Sequence, residues 1–517
     1  MSLFAFQAVN PDISMSLIAP ETIVGVAAVV VMLVDAFARR RQGWLTGGLS
    51  IAALLAAGVY SIWLWIAWPN SREAFNGMIV LDELRLSFTL IFLIVSILTI
   101  LIAMAWIQLE NLPAGEFHAL LLFATCGMML MASAGDLVIV FLGLEILSIA
   151  TYVMAGFRRS DVRSNESSLK YFILGSFASA FLLYGIALVY GATATEAVPG
   201  TTNIAMIGAR INQSLYPPLL FAGAAMMLVG FGFKIATVPF HVWTPDVYEG
   251  APTPVTAFMA AGPKAAGFAS FLRVFLFGFP IATAAAETAG YAHKSWLGAL
   301  AIMAALTMSV GNVAAIVQNN VKRMLAYSSI AHAGYALVGF VAAGAASDPE
   351  QRSAALTSVA FYLLTYAVMN MGAFAIVTLM ARSGDRQNQV EDYNGIGFSS
   401  PVLAFSLSLF LLSLLGMPLT AGFMGKIMVF SAALRQGYVW LVVIGVLNTA
   451  VSAYYYLRLI IVMFFRERST EWSSPPVPAS VAVALVITIA GVFYLGIFPG
   501  RVINAFSARP TTSLSIR

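Results

Sequence analysis

The chain has 517 residues, of which 60% are hydrophobic and 10% are charged, and its formal net charge is +4. A soluble protein carries about 25% charged residues, so the composition excludes a water-soluble globular protein, and the small net charge gives no reason to expect a nucleic-acid partner. The single cysteine, Cys126, excludes an internal disulfide and a cysteine-ligated cluster, and the four dispersed histidines show no ligand spacing. We therefore predict no metal and no cofactor in this chain, and a lipid bilayer around it.

Apolar segments long enough to cross a bilayer, about 20 residues each, recur along the whole chain. They predict an all-α polytopic membrane protein with about fourteen transmembrane helices. No basic segment precedes the first of them, so a cleaved signal peptide is not expected. The predicted spans are 17–37, 45–67, 80–106, 117–133, 136–156, 168–190, 217–238, 255–278, 296–317, 322–343, 354–381, 401–433, 438–464 and 478–499.

The basic residues between the spans support this count. Cytoplasmic loops of membrane proteins are enriched in lysine and arginine, and alternate loops here hold five basic clusters, which predicts that both termini lie on the outer side. Glu21 and Asp82 fall near span ends and are predicted to be interfacial anchors, while Arg273 can extend from its helix end to the membrane surface. The five clusters are Arg39 to Arg41, Arg158/Arg159/Arg163, Lys322/Arg323, Arg382/Arg386 and Arg466/Arg468.

The spans group into four segments. A three-helix segment (1–116) is followed by two five-helix units (117–278 and 279–465) and by a linker with the last span (466–517). Each five-helix unit contains an interrupted fourth helix, broken at Pro239 in the first and around Pro418 in the second. Because five is an odd number, the second unit enters the membrane from the opposite side. Broken helices at matching positions of two inverted repeats are typical of a transporter site at the membrane midplane.

The first broken helix carries the strongest functional signal. Pro239 and Pro245 lack backbone donors, so the carbonyls of Ile235 and His241 lose their helical partners. In hydrocarbon, such groups persist only inside protein or beside water. Lys234 precedes the break and Lys264 follows it within the next apolar segment. Two lysines beside a broken helix at membrane depth indicate an ion or proton path.

Glu145 lies ten residues into its predicted span. A lone carboxylate there would be very costly, so it must be protonated or paired with a cation. The predicted partner is Lys234, with Lys170 behind it. The pair could be a switchable proton carrier or a static contact between helices, and Lys170 could instead lie at the membrane interface.

Lys426 follows the second break in a setting similar to that of Lys264. Both lysines could carry protons, or they could satisfy the carbonyls that a helix break frees. His332 is a candidate central relay between the two units because a histidine titrates near neutral pH. The alternative for His332 is a packing role.

Three segments resemble the antiporter-like subunits of respiratory complex I: Pro239 to Val255, Asn319 to Tyr335 and Gly416 to Lys426. The resemblance covers nearly the whole chain. It implies a proton-translocating membrane-arm subunit of a translocase, NADH:quinone oxidoreductase, in the bacterial inner membrane beside other membrane-arm subunits, including antiporter-like neighbours.

The same resemblance assigns proton translocation to Glu145, Lys234, Lys264 and Lys426. It implies no redox centre in this chain, with FMN and iron–sulfur clusters in partner subunits and quinone as the substrate of the complex. The short segment after the last span and Lys426 distinguish the chain from family members that have a long lateral helix or a glutamate at that position.

Two other functions fit the same residues. One is a subunit of a multi-subunit sodium/proton antiporter, which would be recognised by its co-purifying subunits and by sodium dependence. The other is a membrane scaffold that transports nothing, in which case removal of the buried charges would leave pumping intact.

Overall fold

The computed structural model describes residues 11–37, 43–68, 71–195, 198–211, 214, 216–279, 287–381, 384–467 and 476–507. Within these ranges the chain forms nineteen α-helices and one two-stranded antiparallel hairpin. Of the basic clusters named above, Arg39 to Arg41, Arg382 and Arg468 lie outside the described residues.

The helices follow one another with short connections. They are α1 (Pro11–Phe37), α2 (Gly43–Ala67), α3 (Glu83–Leu109), α4 (Ala114–Ser133), α5 (Leu137–Ala155), α6 (Val162–Ala192), α7 (Ile204–Arg210), α8 (Pro217–Ile235), α9 (Thr244–Gly250), α10 (Thr253–Arg273), α11 (Glu287–Ile316), α12 (Val321–Ala345), α13 (Pro349–Ala381), α14 (Ile396–Ser399), α15 (Pro401–Leu415), α16 (Ala421–Arg435), α17 (Val439–Phe465), α18 (Ala479–Ile497) and α19 (Gly500–Ser507). A π-helical turn, Val274–Gly278, extends α10, and a 3₁₀ turn, Val390–Tyr393, precedes α14.

The predicted all-α membrane architecture is confirmed. Twelve of the described helices are long and apolar enough to cross a membrane. The other two predicted spans correspond to α10, whose lysine and arginine lower its hydropathy, and to the broken pair α15 and α16. Helices dominate because a helix satisfies its own backbone donors and acceptors in lipid.

A hairpin between α2 and α3 departs from the purely helical prediction. Strand β1 (Arg72–Ala74) pairs antiparallel with β2 (Ile79–Leu81), where the third span was predicted to begin. The connecting turn contains Asn76 and Gly77 with φ of 56° and 82°, and an Asn-Gly pair is a strong hairpin signal. Helix α3 starts only after Asp82, whose side chain accepts the Arg85 N–H.

Helices α10, α12 and α13 form the centre of the molecule. Every residue of α10 is buried, and the apolar stretches of α12 and α13 are 94% and 89% buried inside the protein. The corresponding values for α1 and α2 are 33% and 28%, so these helices lie at the periphery. Lys264 on α10 and His332 on α12 therefore contact protein and not lipid.

Two buried ion pairs lie near one end of the bundle. Arg85 donates to both carboxylate oxygens of Glu21 at 2.8 Å, and both side chains are almost fully buried. Arg273 binds Asp82 through two bonds of 2.8 Å and also donates to the Ala132 carbonyl. Glu21 and Asp82 are therefore not interfacial anchors, and Arg273 does not extend to the membrane surface, as the sequence had predicted. Each of these charges binds a partner inside the protein.

Basic loops from distant parts of the chain meet at the other end. The buried Lys322 side chain donates to the Ala251 carbonyl at 2.6 Å and to Asp385 at 3.4 Å, and Arg158 lies 3.7 Å from the same Asp385. Arg163 donates to the Gly384 carbonyl at 2.9 Å. The described members of three predicted basic clusters thus share one end of the bundle, as alternate loops must.

Candidate functional site

The first helix break lies one turn earlier than predicted. Helix α8 ends at Ile235, because Ala236 adopts a left-handed conformation with φ of 59° and its N–H binds carbonyls of the last turn. An irregular segment then leads to α9, and Val238 N–H donates to Thr307 Oγ1 at 3.0 Å. Ile235 to Thr237 are buried, whereas Pro239 and Val242 are exposed, so the break begins inside the protein and reaches its surface.

Lys234 lies in the last turn of α8 and is 4% exposed. Its Nζ donates to Ser148 Oγ at 2.9 Å and to the Tyr171 hydroxyl at 3.4 Å. The ring of Tyr171 is itself fixed by stacking on Trp243 with a centroid distance of 4.5 Å. Lys234 is therefore held by hydroxyl groups contributed by α5 and α6.

Lys264 lies in the middle of α10 and is 2% exposed. Its Nζ donates to the Ser329 carbonyl at 2.8 Å and also binds the Ser329 hydroxyl. Gly267, one turn further along α10, lies directly against α8: a Cβ there would be 3.4 Å from Lys234 Cγ and 2.7 Å from Ile235 Cγ2. A glycine at this position lets the two lysine-bearing helices approach closely.

His332 lies on α12, one turn after Ser329, and is 3% exposed. Its Nδ1 is 2.7 Å from the Tyr362 hydroxyl and its Nε2 is 3.4 Å from the Tyr456 hydroxyl. Since residues three apart share one face of a helix, His332 continues the polar line that begins at Ser329. His332 thus lies between Tyr362 of α13 and Tyr456 of α17, and its role as a relay stays a prediction.

Lys426 lies on α16 and binds the end of α15. Its Nζ donates to the Leu415 carbonyl at 2.8 Å and lies 4.7 Å from the ring centroid of Tyr335. The Leu415 carbonyl is free because Gly416 turns the chain with φ of 100°. Tyr335 is one turn beyond His332 on α12, so Ser329, His332 and Tyr335 join Lys264 to Lys426.

Glu145 does not form the ion pair predicted from the sequence. Lys234 binds Ser148 instead, and among the described residues no carboxylate forms an ion pair with its amine. Glu145 is half-buried on α5 beside the exposed side chains of Leu142 and Ile149, whereas Ser148 is buried on the inner face. Among the described residues the Glu145 Oε1 is buried without a hydrogen-bond partner, and the carboxylate remains close enough to interact electrostatically with Lys234.

Lys170 does not lie behind Lys234 as predicted. It sits near the start of α6, with a side chain that is 42% exposed, and pairs with Glu166 at 2.8 Å and Asp246 at 2.9 Å. Arg323 binds the other oxygen of Asp246 at 2.7 Å. The structure therefore places Lys170 in an ion-pair network at the end of the bundle, outside the line of buried lysines.

Sequence reasoning missed the neutral partners of the lysines. A serine hydroxyl can bond to its own helix backbone, and a tyrosine carries no charge, so no energetic signal in the sequence marks the few hydroxyls that bind a lysine. The Tyr456 hydroxyl also bonds Ser328 and lies beside His332. The missed partners of the lysines are Ser148, Tyr171, Ser329 and Tyr335, and those of His332 are Tyr362 and Tyr456.

Comparison with known proteins identifies the family. A family model described as NADH:quinone oxidoreductase/Mrp antiporter, transmembrane, matches residues 134–452. The chain belongs to this family. Its similarity to curated relatives extends further: it is 45% identical to NADH-quinone oxidoreductase subunit N of Trichlorobacter lovleyi, over 96% of each chain. It is 42% identical to subunit N 1 of Solibacter usitatus, over 98% of this chain and 99% of the relative.

Solved structures of the NADH:quinone oxidoreductase/Mrp antiporter family share the fold. A chain of respiratory complex I from Thermus thermophilus is 35% identical, with a TM-score of 0.75, and the match covers 95% of this chain and all of that one. A chain of the Mrp complex from Dietzia has a TM-score of 0.81 at 18% identity, over 96% and 98% of the two chains, and shows the fold alone. The resemblance inferred from the three sequence motifs is confirmed.

Proposed function

We propose that this chain is a proton-translocating membrane-arm subunit of an NADH:quinone oxidoreductase. The observation that carries the proposal is the line of buried groups on the central helices, in which Ser329, His332 and Tyr335 of α12 connect Lys264 to Lys426. The 45% identity to a subunit N over 96% of the chain supports the same function.

The partners of the lysines suit proton exchange. Lys234, Lys264 and Lys426 are bound by hydroxyls, carbonyls and a ring face. Such neutral groups accept a hydrogen bond from an ammonium or from an amine, so losing the proton leaves no unpaired buried carboxylate behind. A tight ion pair would instead oppose the loss, since breaking a buried pair costs about 3–5 kcal/mol.

Glu145 supplies the adjustable charge in this proposal. Quinone reduction in partner subunits changes the electrostatic field along the membrane arm, and Lys234 moves towards or away from the half-buried carboxylate. The protonation state of Lys234 then alters the affinity of Lys264 for a proton, and a proton leaves through His332 and Lys426. Lys170 contributes a fixed charge at the end of the bundle.

The setting of the chain follows from the same proposal. It lies in the bacterial inner membrane beside other membrane-arm subunits, with its basic loops in the cytoplasm and both termini outside. Residues 117–278 and 279–465 are two inverted repeats, each contributing one broken helix, between the segments 1–116 and 466–517. The complex is the translocase; FMN and iron–sulfur clusters reside in partner subunits, and quinone is the substrate of the complex.

Replacement of Glu145 tests the proposal. In the complete complex reconstituted into vesicles, Glu145→Ala should lower NADH-driven proton uptake and coupled NADH oxidation while the complex still assembles. Glu391→Ala, which removes an exposed carboxylate, is the matched control and should leave both rates unchanged. Wild-type pumping by Glu145→Ala would contradict the proposed role.

The sodium/proton antiporter remains the second candidate, because the family description includes Mrp antiporters. It is less well supported, since the solved Mrp chain is only 18% identical. Proton uptake that requires sodium, with co-purifying antiporter subunits, would favour it. A scaffold without transport would show unchanged uptake after combined replacement of Glu145, Lys234, Lys264 and Lys426.

A further inference from the structure

A cluster of uncharged polar side chains lies beside the central line and is not used by the function proposed above. It forms where α11 and α17 pack against each other and against α12. We call it the amide cluster, and its members are Ser309 and Asn312 of α11 and Asn448, Thr449 and Tyr455 of α17. Polar side chains within membrane helices are costly, so a group of five requires an explanation.

Asn312 is at the centre of the amide cluster and is fully buried. Its Oδ1 accepts a hydrogen bond from the Tyr455 hydroxyl at 2.9 Å. Its Nδ2 donates to the Met308 carbonyl at 2.9 Å and lies 3.3 Å from Asn448 Oδ1. Asn448 in turn donates to Ser309 Oγ at 3.1 Å. The oxygen and the nitrogen of the Asn312 amide are therefore both bound, and its orientation is fixed by α11 and α17.

The amide cluster reaches the central line at Tyr335. The Tyr335 hydroxyl lies 3.4 Å from Asn312 Nδ2 and 3.3 Å from Thr449 Oγ1. The ring of the same tyrosine faces Lys426, whose Nζ is 4.7 Å from the ring centroid. A ring face attracts a cation only within about 6 Å of its centroid. Tyr335 is thus held by the amide cluster at its hydroxyl and contacts the lysine through its ring.

Packing alone does not explain the amide cluster. Hydrogen bonds between membrane helices add little stability each, because the separated helices also find partners for their polar groups. Apolar side chains of similar shape would pack α11 against α17 without any polar group to satisfy. A bonded polar network differs from an apolar contact in that it fixes the orientation of its members. The member of the central line that this network orients is Tyr335.

We propose that Asn312 is a positioning residue for proton exchange at Lys426, an inference that rests on the proposed function. Asn312 holds the Tyr335 hydroxyl and thereby keeps the ring against the Lys426 amine. The ring face attracts the ammonium and not the neutral amine, so the position of the ring affects how readily Lys426 takes up and releases its proton. Thr449 acts on the same hydroxyl from α17. The amide cluster itself carries no proton.

Asn312→Leu in the complete NADH:quinone oxidoreductase complex tests the inference. It keeps the size and branching of the side chain and removes the amide. NADH-driven proton uptake into vesicles should slow about three- to tenfold, since the loss of one hydrogen bond changes an equilibrium by roughly that factor. Tyr335→Phe keeps the ring and removes the hydroxyl that Asn312 holds, so adding Asn312→Leu to it should cause no further loss. Losses that multiply in the double variant would overturn the inference, because Asn312 would then act independently of that hydroxyl.

Thr449→Val tests the same claim should Asn312→Leu fail to assemble. It keeps the β-branched shape and removes the hydroxyl, so uptake should slow, and Thr449→Ser, which retains a hydroxyl, should pump nearly as the unmodified complex does. Thr125→Val is the matched control. The Thr125 hydroxyl, like that of Thr449, binds a carbonyl of its own helix and a hydroxyl of a neighbouring helix, but it joins α4 to Ser96 of α3. Equal losses in Thr449→Val and Thr125→Val, or equal losses in Thr449→Val and Thr449→Ser, would overturn the inference.

Lys426→Ala separates the inference from the function on which it rests. Loss of uptake in Lys426→Ala together with normal uptake in Asn312→Leu and Thr449→Val would overturn the positioning role and leave the proposed function standing. Normal uptake in Lys426→Ala itself would overturn the proposed proton path through Lys426 and the positioning role with it.

Discussion

Gly267→Ala is expected to separate the two lysine sites without removing an ionisable group. The added Cβ would lie 2.7 Å from Ile235 Cγ2, whereas real Cβ contacts are essentially never below 3.0 Å and are usually above 3.4 Å. Ile235 is β-branched and has little rotamer freedom in a helix. Helices α8 and α10 must therefore move apart by about 0.3–0.7 Å, and overpacking of this kind costs about 1–3 kcal/mol.

The functional loss should exceed the loss of stability. A misplacement of about 1 Å can slow a positioned reaction roughly 10²-fold, so half that shift should slow NADH-driven proton uptake about tenfold in a complex that still assembles. Gly48→Ala on α2 is the matched control, because its Cβ would meet nothing within 4 Å, and it should leave uptake unchanged. Uptake at the wild-type rate in Gly267→Ala would refute the claim that close approach of the lysine-bearing helices matters.

Three further predictions concern charges outside the central line. Glu21→Ala leaves Arg85 buried and unpaired, so the yield and thermal stability of the complex should fall by the equivalent of about 3–5 kcal/mol; unchanged stability would show that another group compensates Arg85. Lys170→Met should keep most proton uptake, since Lys170 binds Glu166 and Asp246 at the end of the bundle; a loss as large as that of Lys264→Met would return it to the proton path. Burial alone would raise the pKa of Asp246, but hydrogen bonds from Lys170 and Arg323 outweigh it and hold that pKa below 3.8. The stabilisation is therefore complete above that pH and is lost as the pH falls through the lower folded pKa. The acid limb of thermal stability should then become shallower in Asp246→Asn, and identical pH profiles would contradict this origin.

The helices could be predicted because their signal is local. A span of about 20 apolar residues is visible in any window of the sequence, and the cost of a charge at membrane depth marks Lys234, Lys264 and Lys426 individually. Partners could not be predicted in the same way. Glu21 and Arg85 are 64 residues apart, and Lys234 and Ser148 are 86 apart, so only the packing of helices reveals which groups meet.

Permanently charged side chains and side chains that can release a proton differ in residue type and in binding partner. The buried arginines of the bundle end, Arg85 and Arg273, are bound by carboxylates through bonds of 2.8 Å. Arginine remains protonated in proteins, whereas a buried lysine can release its proton. The three central amines belong to lysines, and their partners are hydroxyls, carbonyls and an aromatic ring. A lysine in the proton path therefore cannot be replaced by arginine. Lys264→Arg would keep a permanent charge in the path and block it, even where the hydrogen bond to Ser329 is preserved.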